Sequence, residues 1–153
     1  MHPSRGGRAR CQLTISSLGW VMPAVIQQLM SYEISLYRRE FLDRAIREQL
    51  GDWTGADPIP EESRHEATAF LLNRGYTEQN YPWQTDCQTY QHPELKEHLE
   101  VTVFDGCISF AIQYSGNALD TVNMAIETAK ELGRLIELAV YDPQDGRFIE
   151  NDL

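Results

Sequence analysis

The stretch Leu99–Tyr114, LEVTVFDGCISFAIQY, decides the fold. Two alternating runs flank Asp105-Gly106, a pair suited to a two-residue type I′ turn because both central residues of that turn need φ > 0. With the turn there, Val103 faces Ile108, Val101 faces Phe110 and Leu99 faces Ile112. Side chains alternate along a strand, so these six share one side of the sheet. The other side receives Glu100, Thr102, Ser109 and Gln113, with Phe104 and Cys107 beside the turn. A slip of one residue would turn every apolar side chain outward, so register and turn support each other.

Upstream, Ser31–Arg38 alternates as well. Tyr32, Ile34 and Leu36 share one face; Glu33, Ser35 and Tyr37 share the other, which predicts a first strand. Helical spacing follows over Arg39–Leu50, with Gly51 as a stop. Gly51–Pro60 reads as a loop in which Trp53 covers a core edge. A second helix is expected from Pro60 to Asn73, with Glu61 and Glu62 at the positive end of its dipole. The irregular segment Tyr76–His98 is too long for a structureless loop, so Cys87–Gln91 is expected to form a short edge strand.

Downstream, Ser115-Gly116-Asn117 turns the chain. Leu119, Val122, Ala125, Ile126, Ala129 and Leu132 then recur at helical intervals up to Gly133, a suitable C′ residue. Leu138–Tyr141 reads as a strand, Asp142–Gly146 as a turn and Arg147–Glu150 as a brief extension. The expected architecture is α+β. It is a ferredoxin-like βαββαβ antiparallel sheet with helices on one face, and an extra helix and irregular insertion after strand one. The main rival is an antiparallel meander with helices on one side.

Residues 1–29 differ from the rest. They hold Arg5, Arg8 and Arg10, whereas all 23 acidic residues lie beyond them. This break marks 1–29 as an extension outside the domain, with Met30 as the expected natural start. Residues 30–150 form a single α+β domain and 151–153 a frayed tail.

The formal net charge of −10 argues against nucleic acid, whose binding requires cations to displace phosphate counterions. It favours a partner with a basic surface, reached by electrostatic steering. No stretch approaches the roughly 18 apolar residues of a membrane span. Three cysteines, Cys11, Cys87 and Cys107, form no disulfide framework. Reduced thiols and a cytoplasmic location are the simplest expectation.

No motif marks a reaction. Cys87, His92 and His98 lie near one another in sequence, but nothing supplies an oxyanion hole or an orienting third group. His92 and His98, with Glu94 or Glu97, match neither zinc-finger nor HExxH spacing. Asp142 and Asp145 do not follow the calcium-loop pattern; Asp142 instead caps its own turn. No catalytic residue, metal site or cofactor is therefore expected.

The polar sheet face is the better candidate, with Glu33, Tyr37, Phe104 and Tyr141 as contact residues for a partner. An alternative is a small-molecule sensor or enzyme, with a pocket between segment 76–98 and the sheet formed by Trp83, Cys87, His92 and Glu97. A third is a homodimer through the polar face.

The segments MSYEISLYRREF from Met30, VTVFDGCISFAIQY, and LAVYDPQDG near the end resemble a family of small bacterial proteins without an assigned function. The resemblance covers Met30–Gly146 and implies Met30 as the start. YDPQ-type endings are similar to those of bacterial proteins that include immunity proteins to secreted toxins. It carries over no catalytic residue. Together these observations lead to a small acidic, non-enzymatic binding protein, in its most concrete form an immunity-type protein masking a basic protein.

Overall fold

The computed structural model describes residues 31–51, 53, 56–95, 99–113 and 118–149. The elements run β1 (Ser31–Arg38), α1 (Arg39–Arg47), α2 (Glu61–Asn73), β2 (Thr77–Gln79), β3 (Gln88–Gln91), β4 (Leu99–Val103), β5 (Ile108–Gln113), α3 (Ala118–Ile136), β6 (Leu138–Asp142) and β7 (Arg147–Ile149). All seven strands join one sheet in the order β2-β3-β4-β5-β1-β6-β7, and every neighbouring pair is antiparallel.

The decisive hairpin has the register read from its alternation: Leu99 opposite Ile112, Val101 opposite Phe110 and Val103 opposite Ile108. All six side chains are buried. Its reversal differs from the expected type I′ turn, since neither Asp105 nor Gly106 has a positive φ. Glycine is needed there for space. A Cβ on Gly106 would lie 3.0 Å from Ala56 Cβ and 3.1 Å from its carbonyl oxygen. The 56–59 segment crosses close over the hairpin tip, where the Ile59 N–H donates to the Asp105 carbonyl at 2.7 Å.

The α+β class holds, but the ferredoxin-like βαββαβ plan does not describe this sheet, which is larger. The insertion supplies two strands rather than one. The expected edge strand, β3, lies inside the sheet between β2 and β4. The polar TEQ segment that forms β2 has no alternation to betray it. At the other end Arg147–Ile149 pairs with β6.

Helices pack on both faces, which corrects the expectation of one. On the first face, Ile34, Leu36, Val101, Phe110, Ile112 and Val140 meet Ala67 and Leu71 of α2 and Ala125, Ala129, Leu132 and Ile136 of α3. Helix α3 runs through Gly133 because Ile136 still reaches this core. The left-handed residue that follows is Glu137, at φ 61°. On the second face, Tyr37, Phe104, Cys107 and Ala139 meet Phe41, Leu42 and Ala45 of α1. No residue separates β1 from α1, so the helix starts beside Tyr37 and folds onto that side of the sheet. The Tyr37 and Phe41 rings lie 5.6 Å apart.

Residues 1–29, the Met30 start, the turn at Ser115-Gly116-Asn117 and the tail at 151–153 lie outside the described residues. Cys107 is buried in the second core and Cys87 packs against it, while Cys11 lies outside the described residues.

Candidate functional site

The strand alternation that sends Ile34 and Leu36 into the main core sends Glu33, Ser35 and Tyr37 to the second face. There they line a cavity of about 200 Å³, closed by Leu50, Gly51 and Trp53 after α1 and by Tyr141 and Pro143 from β6 and its turn. Three of these residues are aromatic. The Trp53 ring lies 5.3 Å from Tyr37 and 5.2 Å from Tyr141. Trp53 is anchored because its indole N–H donates to the Leu50 carbonyl at 2.8 Å, and Phe41 packs against it edge-on at 5.8 Å.

Glu33 is the charged residue of this wall, with 3% exposure. Its carboxylate accepts a short hydrogen bond from the Ser109 hydroxyl. Among the described residues no ion pair involves it. Burial therefore pushes its pKa up from 4.5 to about 7, with the Ser109 bond pulling weakly the other way. A carboxyl in this position gives up hydration without the opposite charge that normally replaces it. Burial also holds the Tyr37 hydroxyl well above its ordinary range, helped by the charges of Glu33 and Tyr141. Tyr141 is raised by burial and by neighbouring Asp142. Both phenols therefore stay protonated near neutrality and do not act as bases.

Gln144 fixes the backbone of Glu33. The β1–β6 register places Ser35 opposite Tyr141; continued two places, it would put Pro143 opposite Glu33. Proline has no N–H to give, and the Gln144 amide takes over both halves of the missing pairing. Its Oε1 accepts from the Glu33 N–H at 2.8 Å, and its Nε2 donates to the Glu33 carbonyl at 2.7 Å. Nε2 also donates to Asp142 Oδ1 at 2.7 Å. Asp142 caps its own turn as expected, accepting from the Gln144 N–H at 2.9 Å, while its second oxygen accepts from the Tyr32 hydroxyl.

Of the four residues assigned to an exposed interaction face, Glu33, Tyr37 and Phe104 are buried and Tyr141 is half-buried. The face is covered by α1 and the loop after it. Glu33, Tyr37 and Tyr141 meet in the cavity, whereas Phe104 packs deeper in the second core. Trp53, read from sequence as a core cover, belongs to the site. Gln144 was missed; the signal for it was Pro143, which must end the strand pairing.

The alternative pocket is not assembled. Trp83 is 66% exposed and stacks on Tyr81 at 5.0 Å. Cys87 packs against the second core, while His92 packs edge-on to Tyr76, which belongs to the first. His92 Nδ1 accepts from the N–H groups of Glu94 and Leu95 at 3.0 Å each, and burial lowers its pKa. This histidine is neutral and serves a turn. Glu97 lies outside the described residues.

Among the described residues no group of three or more His, Cys, Asp and Glu side chains is placed to hold a metal ion, and no helix is long and apolar enough to cross a membrane. Comparison of the chain with family models, with curated proteins and with solved structures finds no match.

Proposed function

We propose that this is a binding protein for a small ligand, and that the ligand enters the cavity around Glu33. The observation that carries the reading is the convergence of three aromatic side chains on a buried carboxyl that has no counter-charge among the described residues. Aromatic side chains converging with a few placed polar groups in a concave site are a usual feature of small-molecule binding. Its volume of about 200 Å³ exceeds the roughly 150 Å³ of a cavity that holds benzene and falls short of the several hundred of drug-sized sites. The occupant is thus a small molecule or the end of a larger one.

Binding fits the site better than catalysis because, among the described residues lining the cavity, Glu33 has no second acid or base beside it to work on a reacting centre. The Ser109 hydroxyl is already engaged as a donor to Glu33, and the phenols are held protonated. A carboxyl that titrates near neutrality would nevertheless suit proton transfer, so general acid–base chemistry at Glu33 is the second reading. Masking of a basic protein, and dimerisation, through the polar face both need Glu33, Tyr37 and Phe104 at an open surface. Their burial gives those two readings no support.

The test is a ligand screen by nuclear magnetic resonance, using small cations, neutral molecules and anions, that follows the Trp53 indole N–H assigned with Trp53→Phe. At least one class should shift that resonance saturably and lose affinity in Glu33→Gln. If no compound of any class moves it at millimolar concentration, the pocket is not a ligand site.

A further inference from the structure

We infer that the ligand of this cavity is an organic ammonium ion, received among Tyr37, Trp53 and Tyr141 and neutralised by Glu33. The inference rests on the reading of the cavity as a ligand site and adds the chemical class. The charge, the rings and the size of the cavity all point to it.

Charge comes first. No Lys, Arg or His is among the described residues that line the cavity, and the Glu33 backbone N–H, a donor that an anion could have used, is taken by Gln144. An anion would meet the Glu33 carboxyl and, among the described lining residues, no cationic side chain to offset the repulsion. A cation would supply the counter-charge that this carboxyl lacks among the described residues. The net charge of −10 also raises the local concentration of cations around the protein.

The aromatic wall comes second. The negative ring faces of Trp and Tyr attract cations, and organic ammonium groups, whose charge is spread over carbon-bound hydrogens, are the ligands such clusters recognise. A hard metal ion would require six to eight oxygen ligands for calcium, or an octahedral set for magnesium. The described side chains of this wall offer one carboxyl, one serine hydroxyl and two protonated phenols, which are poor ligands for a hard ion.

Size comes third. An ammonium head carrying a few methyl groups matches a cavity of about 200 Å³, being comparable in bulk to the benzene that fills roughly 150 Å³.

The same ammonium chemistry comes either from a free methylated amine or from the lysine tip of a basic polypeptide. Titration calorimetry at a pH above 7 distinguishes the sources with three probes: choline, its neutral isostere in which a quaternary carbon replaces the nitrogen, and N-acetyl-lysine amide. Choline or the lysine derivative should bind at least about tenfold more tightly than the isostere, in keeping with a desolvated cation–π contact. Glu33→Gln should remove most of that preference. Tighter choline identifies a free methylated cation; a tighter lysine derivative identifies a polypeptide side chain. An isostere that binds as well as choline while shifting Trp53 overturns the ammonium assignment and leaves a ligand site that ignores charge. If none of the three binds but the screen yields other Trp53-shifting compounds, the assignment again falls alone. If neither experiment yields a ligand, the site falls with it.

Discussion

Replacing Glu33 with glutamine should stabilise the protein at alkaline pH and do little at acid pH. The pKa of Glu33 is raised from 4.5 to about 7 by burial. The folded state thus holds this proton more tightly than the unfolded chain does. Stability from this group is intact below about pH 4.5, falls as pH rises through 7, and then levels off. The gap between the two values amounts to on the order of 3 kcal/mol at full ionisation. A glutamine side chain would keep an oxygen for the Ser109 hydroxyl and would never ionise, so Glu33→Gln should follow the protonated acid. Its advantage over the wild type should grow by about 2 kcal/mol between about pH 5.5 and about pH 8.5. Urea denaturation of both proteins across that range, read as the midpoint at constant slope, measures it. Other carboxylates titrate in both chains and cancel in the difference. If the two proteins instead run parallel across the range, or if the variant is weaker by the same amount throughout, Glu33 is not an uncompensated buried acid.

Gln144→Ala should remove the amide that pairs the Glu33 backbone, leaving a strand N–H and carbonyl without partners; a loss of about 1–3 kcal/mol and faster hydrogen exchange at the Glu33 amide are expected, with the Val101 and Phe110 amides unchanged. Gly106→Ala should cost about 1–3 kcal/mol by overpacking against Ala56, visible as a lower urea midpoint. If Gly106 were instead held by a left-handed φ, asparagine would be tolerated better than alanine; the crowding at Ala56 predicts that it is tolerated worse.

The sheet was legible where its pattern was local. The Leu99–Tyr114 hairpin and the Ser31–Arg38 strand alternate over their whole length, and both register and span follow from that alternation. The turn geometry did not follow, because Gly106 answers to Ala56, a residue from a distant loop. Strand β2 is three polar residues stabilised by pairing with β3 alone, so no hydrophobic period reports it. The site was half legible. Alternation grouped Glu33 with Tyr37, and the same polarity made their face read as open to solvent. What covers it comes from α1 and from Trp53 and Ala56 in the loop after it, packed on Tyr37, Phe104, Cys107 and Ala139. Each of these is ordinary alone, and only the folded chain brings them over a carboxyl.

The most direct test of the central claim is a carbon-detected titration of the Glu33 side-chain carboxyl, with and without saturating choline. The free protein should show a midpoint near 7. Binding of the cation should draw it down toward the ordinary carboxylate range, since an adjacent positive charge favours ionisation. A midpoint near 4.5 that choline leaves unmoved would contradict both the buried acid and its cation.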